Sequence, residues 1–311
     1  MKIAFFGTPS FAVGPLKSLI ASGHTVEVVV SRPDRPKGRS MEKSPTPVKE
    51  AALAAGIPVL QPEKVSAPDF LAQYKNFRVD LNVVAAFGQI FPEELIYFPK
   101  FATINIHASL LPKYRGAAPI NWAIINGERE TGVTYQFIVK KLDAGDIIYS
   151  EKYGILPGDN SITLYEKLSK LSADTVVKVV DSIGAGKAAA IKQDEAAATF
   201  VRTLKKEDGK LDFTSAAPGI VNMVRGLLPW PCAFCFYNGK TLKIYEASEY
   251  GAGKSGARPG EIFEVVKNKG FVAAAGDGAV LIGAVQPESG KKMAAADFAL
   301  GQKNIIGSFL K

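Results

Sequence analysis

The first thirty residues leave few folds open. Residues 2–6 read as a short buried strand, Gly7-Thr8-Pro9-Ser10 as a junction, 11–22 as a helix and 26–30 as a second buried strand, β-branched except at Glu27. A glycine, a capping hydroxyl and a proline are the expected chemistry of a helix start. Strand, helix and strand at this spacing argue a parallel sheet, because a right-handed crossover helix is the usual way to join parallel neighbours. The alternation continues with a helix over 48–55 closed by Gly56, a strand over 57–60, a helix over 67–77 and a third buried strand over 81–86. Beyond it, 131–139 alternates as a half-exposed strand through Val133, Tyr135, Phe137 and Val139, and 163–184 reads as a long amphipathic helix. The expected class is α/β, with a Rossmann-like, open, mostly parallel sheet.

The pattern changes in the last third. Residues 187–206 are small, polar and charged, and from 207 onward short strands follow one another, at 241–247, 260–266, 270–274 and 280–285. Tyr237-Asn238-Gly239-Lys240 is a hairpin signal, and a helix is expected over 294–300. These features predict a small C-terminal β-barrel of the oligonucleotide-binding (OB) type. A chain of 311 residues has room for both parts, and the expected division is 1–189, a linker over 190–206, and 207–311.

Several functions lose support. No Gly-x-Gly-x-x-Gly follows the first strand and no Gly-x-x-x-x-Gly-Lys-Ser/Thr occurs, which argues against nicotinamide and nucleoside-triphosphate sites. Cys232 and Cys235 lie in an apolar, aromatic run without a second pair or a nearby histidine, and read as two core thiols. No metal site is expected. There is neither a signal-peptide layout nor an 18-residue apolar run, so a cytoplasmic chain with no membrane partner is expected. The formal net charge of +8 suits a polyanionic partner.

Chemistry concentrates in residues 104–119, Ile-Asn-Ile-His-Ala-Ser-Leu-Leu-Pro-Lys-Tyr-Arg-Gly-Ala-Ala-Pro. Asn105 and His107, two apart on an extended segment, project to the same side, where a loop begins. An amide donor beside an imidazole suits a reaction in which an oxyanion forms and a proton moves; a hydrogen-bonded strand end is the plainer alternative. The only other histidine, His24, sits in Ser-Gly-His-Thr and reads as a solvated turn residue. Asp143 and Asp146 flank Gly145, a pattern that fits a turn or a carboxylate partner for the imidazole. Residues 31–49 read as a proline-containing loop carrying Arg32, Arg35, Lys37, Arg39, Lys43 and Lys49 against Asp34 and Glu42. Leaving a sheet strand, such a loop could receive phosphates. In Phe87-Gly88-Gln89-Ile90-Phe91, the glycine lets backbone approach a flat ligand.

Taken together, Asn105-Ile-His-Ala-Ser-Leu-Leu-Pro-Lys-Tyr-Arg-Gly-Ala-Ala-Pro and Leu142-Asp-Ala-Gly-Asp resemble the signature of the folate-dependent formyltransferases. Gly7-Thr-Pro-x-Phe-Ala, the Arg32-Pro-Asp-Arg-Pro-x-Gly-Arg loop, Pro157-Gly-Asp-x-Ser-x-Thr-Leu-Tyr and Pro229-Trp-Pro extend the resemblance along essentially the whole chain. It implies Asn105, His107 and Asp143 as the catalytic trio. It further implies 10-formyltetrahydrofolate as co-substrate, held by Phe87, Gly88, Gln89, Ile90, Ser109, Leu110, Leu111 and Pro112. The implied acceptor is the amine of methionyl initiator tRNA, formylated for translation initiation, with Arg35, Lys37, Arg39 and Lys43 contacting the tRNA and a monomer as the acting species. The loop departs from the family after Gly38-Arg39, reading Ser-Met-Glu-Lys where more consecutive cations are the rule. Two other readings stand beside this one: a formyltransferase of a small amine (a sugar amine or glycinamide ribonucleotide) or a formyl-folate hydrolase on the same domain, and a non-catalytic RNA-binding protein.

Overall fold

The computed structural model describes residues 1–37, 42–251 and 253–311. They divide into two compact units: Met1–Pro119 with Glu130–Gly154 and Tyr165–Val201, and Ile120–Arg129 with Ile155–Leu164 and Arg202–Lys311.

The first unit is built on a sheet whose strands run, in spatial order, Ile147–Gly154, Glu130–Phe137, Thr103–His107, Leu81–Ala85, Lys2–Gly7, Thr25–Val30 and Val59–Leu60. The five strands from Thr103–His107 to Val59–Leu60 are parallel, and the other two join antiparallel. This is the mostly parallel α/β sheet expected. Chain order reverses direction between Lys2–Gly7 and Leu81–Ala85, and the carboxyl ends of strands at such a switch open onto the ligand crevice of α/β sheets. Thr8 bridges the two loops there, its hydroxyl donating to the Phe87 carbonyl at 3.4 Å.

Apolar side chains cover both faces of this sheet. Ala4, Phe6, Val28, Val30 and Val84 pack under Phe70, Tyr74, Phe87, Phe91, Leu95 and Ile96. On the face carrying Tyr135, its hydroxyl reaches the Ser172 carbonyl and Thr175 hydroxyl, each at 2.8 Å, on the helix Ser161–Gly184. Burial pushes the Tyr135 phenol upward, so it stays a neutral donor. Asn82 is a fully buried polar residue whose amide donates to the Leu95 carbonyl and Thr103 hydroxyl and accepts from the Tyr74 hydroxyl.

Three features depart from the sequence reading. Ile147–Gly154 is a strand at the sheet edge, half-exposed and alternating, which the sequence did not single out. The segment 31–49 is not wholly loop: Arg35–Lys37 pairs antiparallel with Glu42–Ser44. His24 is not a solvated turn residue; its side chain is only 11% exposed, lying between the N-terminal amine (3.1 Å) and Asp181 (3.0 Å).

The second unit holds an antiparallel sheet in the order Ala233–Tyr237, Lys240–Glu249, Ala279–Pro287, Gly270–Ala274 and Ile262–Val266. Asn238 and Gly239 both take positive φ (49° and 76°), as a two-residue hairpin demands. Among the described residues the strand ladders do not close this sheet into the barrel expected. Instead the C-terminal residues lie between its two edges: Lys311 exchanges backbone bonds with Phe236, and Leu310 donates to Gly260 while Ile262 donates to Ser308. The helix Ala217–Gly226 and Ala295–Leu300 bury Ile220, Val224 and Phe298 against Phe271 and Ile282.

Candidate active site

Strand Thr103–His107 ends at the crevice. Ile104 and Ile106 point into the core, and Asn105 and His107 point the other way, as their spacing requires. Across the ladder Asn105 faces Gln136 and His107 faces Thr134, so these four side chains share one side of the sheet.

His107 is 6% exposed and its ring is held in one orientation. Nε2 lies 2.8 Å from the Tyr114 carbonyl, an acceptor only, so Nε2 carries a proton and donates it. That leaves Nδ1 as the ring atom able to take up or release a proton on the other side, where Asp143 Oδ2 stands 3.8 Å away. The Asp143 carboxylate is fixed in turn: Oδ2 accepts from Gly116 N at 2.9 Å and Oδ1 from Gln136 Nε2 at 3.1 Å. These two donors fix both carboxylate oxygens beside the imidazole. The structure thus brings the three residues implied as a trio to one sheet end, with Gln136 lying between Asn105 and Asp143.

Tight backbone makes this possible. Gly116 has φ 102°, and a Cβ there would meet the Val201 carbonyl oxygen at 2.3 Å. At Gly145 a Cβ would meet the Phe137 carbonyl oxygen at 1.8 Å, which explains the glycine two residues after Asp143.

The residues expected to hold a folate divide by what remains free. The Phe87 ring is spent on the aromatic core with Phe6 and Phe91. Gln89 Oε1 accepts from Val65 N, and Ser109 donates to the Lys113 carbonyl. Leu111 is buried, Leu110 and Pro112 partly so. Gly88 (φ 79°) and Ile90, which is 89% exposed, face solvent.

Of the residues expected to contact tRNA, Arg35 pairs with Glu63 at 2.5 Å, Lys43 is exposed, Lys37 lies on the hairpin, and Arg39 falls outside the described residues. Asp34 anchors the hairpin base, accepting from Lys49 Nζ at 2.6 Å and Gln61 Nε2 at 2.7 Å. Those two donors hold its carboxyl below the usual range.

The sequence reading missed Gln136, Gln193 and Thr199. Thr199 lies in the stretch assigned to a linker, yet its hydroxyl accepts from Tyr114 N at 2.8 Å, supporting the loop that holds His107. Phe200–Val201 continues this support as a parallel ladder with Arg115–Gly116. Nothing in the residue types announces such a role. Among the described residues no cluster of three or more His, Cys, Asp or Glu could hold a metal ion, and no helix is long and apolar enough to cross a membrane.

Known proteins resemble this chain along nearly its whole length. Residues 1–180 match the formyl transferase family model and residues 203–303 match that of the formyl transferase C-terminal domain. The chain is 44% identical over 301 residues to the methionyl-tRNA formyltransferase of Geobacter sulfurreducens, covering 97% of this chain and 94% of that one. It is 44% identical over 309 residues to the methionyl-tRNA formyltransferase of Bacillus subtilis, covering 99% and 97%. In fold it is similar to the crystal structure of an N-formyltransferase from Helicobacter canadensis in complex with folinic acid and dTDP-3-aminofucose, with a TM-score of 0.69 and 19% identity over 93% of this chain and 100% of that one. Both parts of the chain, matched along nearly their whole length, place it in the methionyl-tRNA formyltransferase group of the formyl transferase family, to which it belongs.

Proposed function

We propose that this chain transfers the formyl group of 10-formyltetrahydrofolate to the α-amine of methionyl initiator tRNA, in the cytoplasm, where translation begins. The observation that carries the reading is identity of 44% over 97–99% of the chain with relatives bearing that name, spanning both matched domains. The cations of the 31–49 segment suit a polyanionic acceptor better than a small amine.

The chemistry follows from the site. The free amine attacks the formyl carbon, a C–N bond forms, and the carbonyl electron pair moves to oxygen. The Asn105 amide and a proton on His107 Nδ1 stabilise that oxyanion, each such donor being worth about 10²–10³ in rate. Asp143, held by Gly116 and Gln136, orients the ring and balances its charge. Collapse returns the electron pair, breaks the bond to N10 of the folate and gives N10 the proton that the attacking nitrogen loses, with His107 and Asp143 as the groups able to carry it. The backbone of Phe87, Gly88, Gln89 and Ile90, with the Ser109–Pro112 turn, holds the folate ring. Arg35, Lys37, Arg39 and Lys43 meet tRNA phosphates, a sequence-independent contact that positions the acceptor end.

The test is formyl transfer from 10-formyltetrahydrofolate to charged initiator tRNA, with free methionine and a sugar amine as parallel acceptors. Product on methionyl-tRNA alone supports the assignment. Product on a small amine, or formate release without transfer, overturns the acceptor while leaving the trio's chemistry standing.

A further inference from the structure

Arg115 is fully buried, one residue from the Tyr114 carbonyl that holds His107, and the trio chemistry makes no use of it. Its guanidinium can only donate. Nε and Nη2 both point at Gln193 Oε1, at 3.0 and 2.9 Å, which fixes the oxygen end of the Gln193 amide toward Arg115. The other end must then donate, and three acceptors surround it: the Asp143 carbonyl at 2.9 Å, the Gly145 carbonyl at 2.7 Å and Gln136 Oε1 at 3.0 Å. Two of these are backbone carbonyls, which demand the same orientation independently. Gln136 is thereby fixed as well. Its oxygen is occupied by Gln193, so its Nε2 is the end that faces Asp143 Oδ1 at 3.1 Å.

We infer that Gln193 is a positioning residue for Asp143: it converts the obligatory donor character of Arg115 into an N–H aimed, through Gln136, at the carboxylate, and it clamps the turn that carries that carboxylate. The inference rests on the role given to Asp143 above. The chain of bonds runs one way, Arg115 to Gln193 to Gln136 to Asp143, and a reversal at any amide would set like against like. Asp143 sits at φ 48°, a left-handed conformation uncommon for a residue with a side chain, and the bonds from Gln193 to the Asp143 and Gly145 carbonyls hold it there. Arg115 is itself set by Glu195, through Nη1 at 3.2 Å and Nη2 at 2.8 Å, and Lys141 Nζ joins Glu195 at 2.5 Å. The Arg115 and Lys141 cations beside Glu195 hold its carboxyl down at about 2, so it stays an acceptor throughout the working range. A purely structural strap would need none of this polarity.

Gln193→Glu keeps an oxygen toward Arg115 and loses the donor end, and Gln193→Met loses both. Each is expected to lower kcat about 10- to 100-fold, the scale of a buried group left without its partner, with KM for folate and tRNA within about threefold of wild type. Gln136→Met should give a similar loss, and the double variant with Gln193→Met should be no slower than the slower single, because both cut one chain. Losses that multiply, a loss confined to KM, or a wild-type kcat in Gln193→Met would overturn the inference. If the Gln193 variants do not fold, Gln136→Glu decides: one oxygen still accepts from Gln193 while a carboxylate oxygen replaces the donor to Asp143, so a wild-type kcat there refutes the relay. Asp143→Ala separates the two levels. Activity in that variant removes the role of Asp143 and the relay with it, whereas inactivity of Asp143→Ala beside fully active Gln193 and Gln136 variants removes the relay alone.

Discussion

Asp143→Asn tests the site most directly, because the two side chains have the same shape and differ only in hydrogen-bonding character and charge. In the wild type, Gly116 N at 2.9 Å and Gln136 Nε2 at 3.1 Å converge on the two carboxylate oxygens. An asparagine offers one oxygen. With its NH₂ toward Gly116, two N–H groups oppose each other beside His107; with its NH₂ toward Gln136, the clash moves to an amide that Gln193 prevents from turning. The side chain at 143 is only 12% exposed, so water does little to relieve either arrangement. One opposed, buried donor costs about 1–3 kcal/mol, and at about 2–4 °C per kcal/mol for a unit of this size the melting temperature should fall by several degrees. The rate should fall further. The amide neither balances a protonated imidazole nor accepts a proton, and the same exchange in a buried carboxylate–histidine pair costs about 10⁴ in kcat. A drop of about 10²–10⁴ in single-turnover formylation is expected, measured by rapid quench at saturating folate, with thermal melts run on the same preparations. A variant within tenfold of wild type would refute the role of the charge. A lowered melting temperature with an intact rate would leave Asp143 as scaffolding only.

Lys43→Ala, at an exposed hairpin position, should raise KM for tRNA with little change in kcat and lower the slope of log(kcat/KM) against log salt by about 1; an unchanged slope would move phosphate contact elsewhere. Asn82→Leu strips the Tyr74 hydroxyl and the Leu95 carbonyl of their buried partner, so the urea midpoint should drop by the equivalent of about 2–4 kcal/mol, and adding Tyr74→Phe should recover about 1 of it. No recovery in the double variant would show that packing, not hydrogen bonding, dominates there. Burial pushes the Cys235 thiol up to about 12, so native protein at pH 8 should resist alkylation at Cys235 and react fully in urea. Rapid labelling of the native chain would contradict that burial.

What the sequence disclosed and what it hid separate along one physical line. Buried strands announced themselves because both faces are covered, as at Lys2–Gly7 and Leu81–Ala85, where every core position except the hydrogen-bonded Asn82 is apolar. The Asn238-Gly239 turn was legible because few residues tolerate its backbone. Asn105 and His107 were legible by chemical type and spacing. Ile147–Gly154 was hidden because an edge strand interleaves Tyr149 and Tyr153 with Ser150, Glu151 and Lys152, and half of it faces water. The link from Ser308–Lys311 to both edges of the C-terminal sheet was hidden for a different reason: a short tail bonded to Phe236, Gly260 and Ile262 depends on contacts about 45 to 75 residues away, which no local pattern encodes. Gln136 and Gln193 combine both obstacles. An amide has no signature of its own, since either end can donate or accept, and its meaning is settled only by what faces it. Here the settling group is Arg115, distant from Gln193 in sequence and fully buried. The proposed trio is therefore suggested by a family resemblance, but the orientation it would need is written in neighbours whose identity matters only after folding has placed them. This is why the variants at Gln193, in a stretch that reads as linker, bear more sharply on the site than changes at many residues of more conspicuous type.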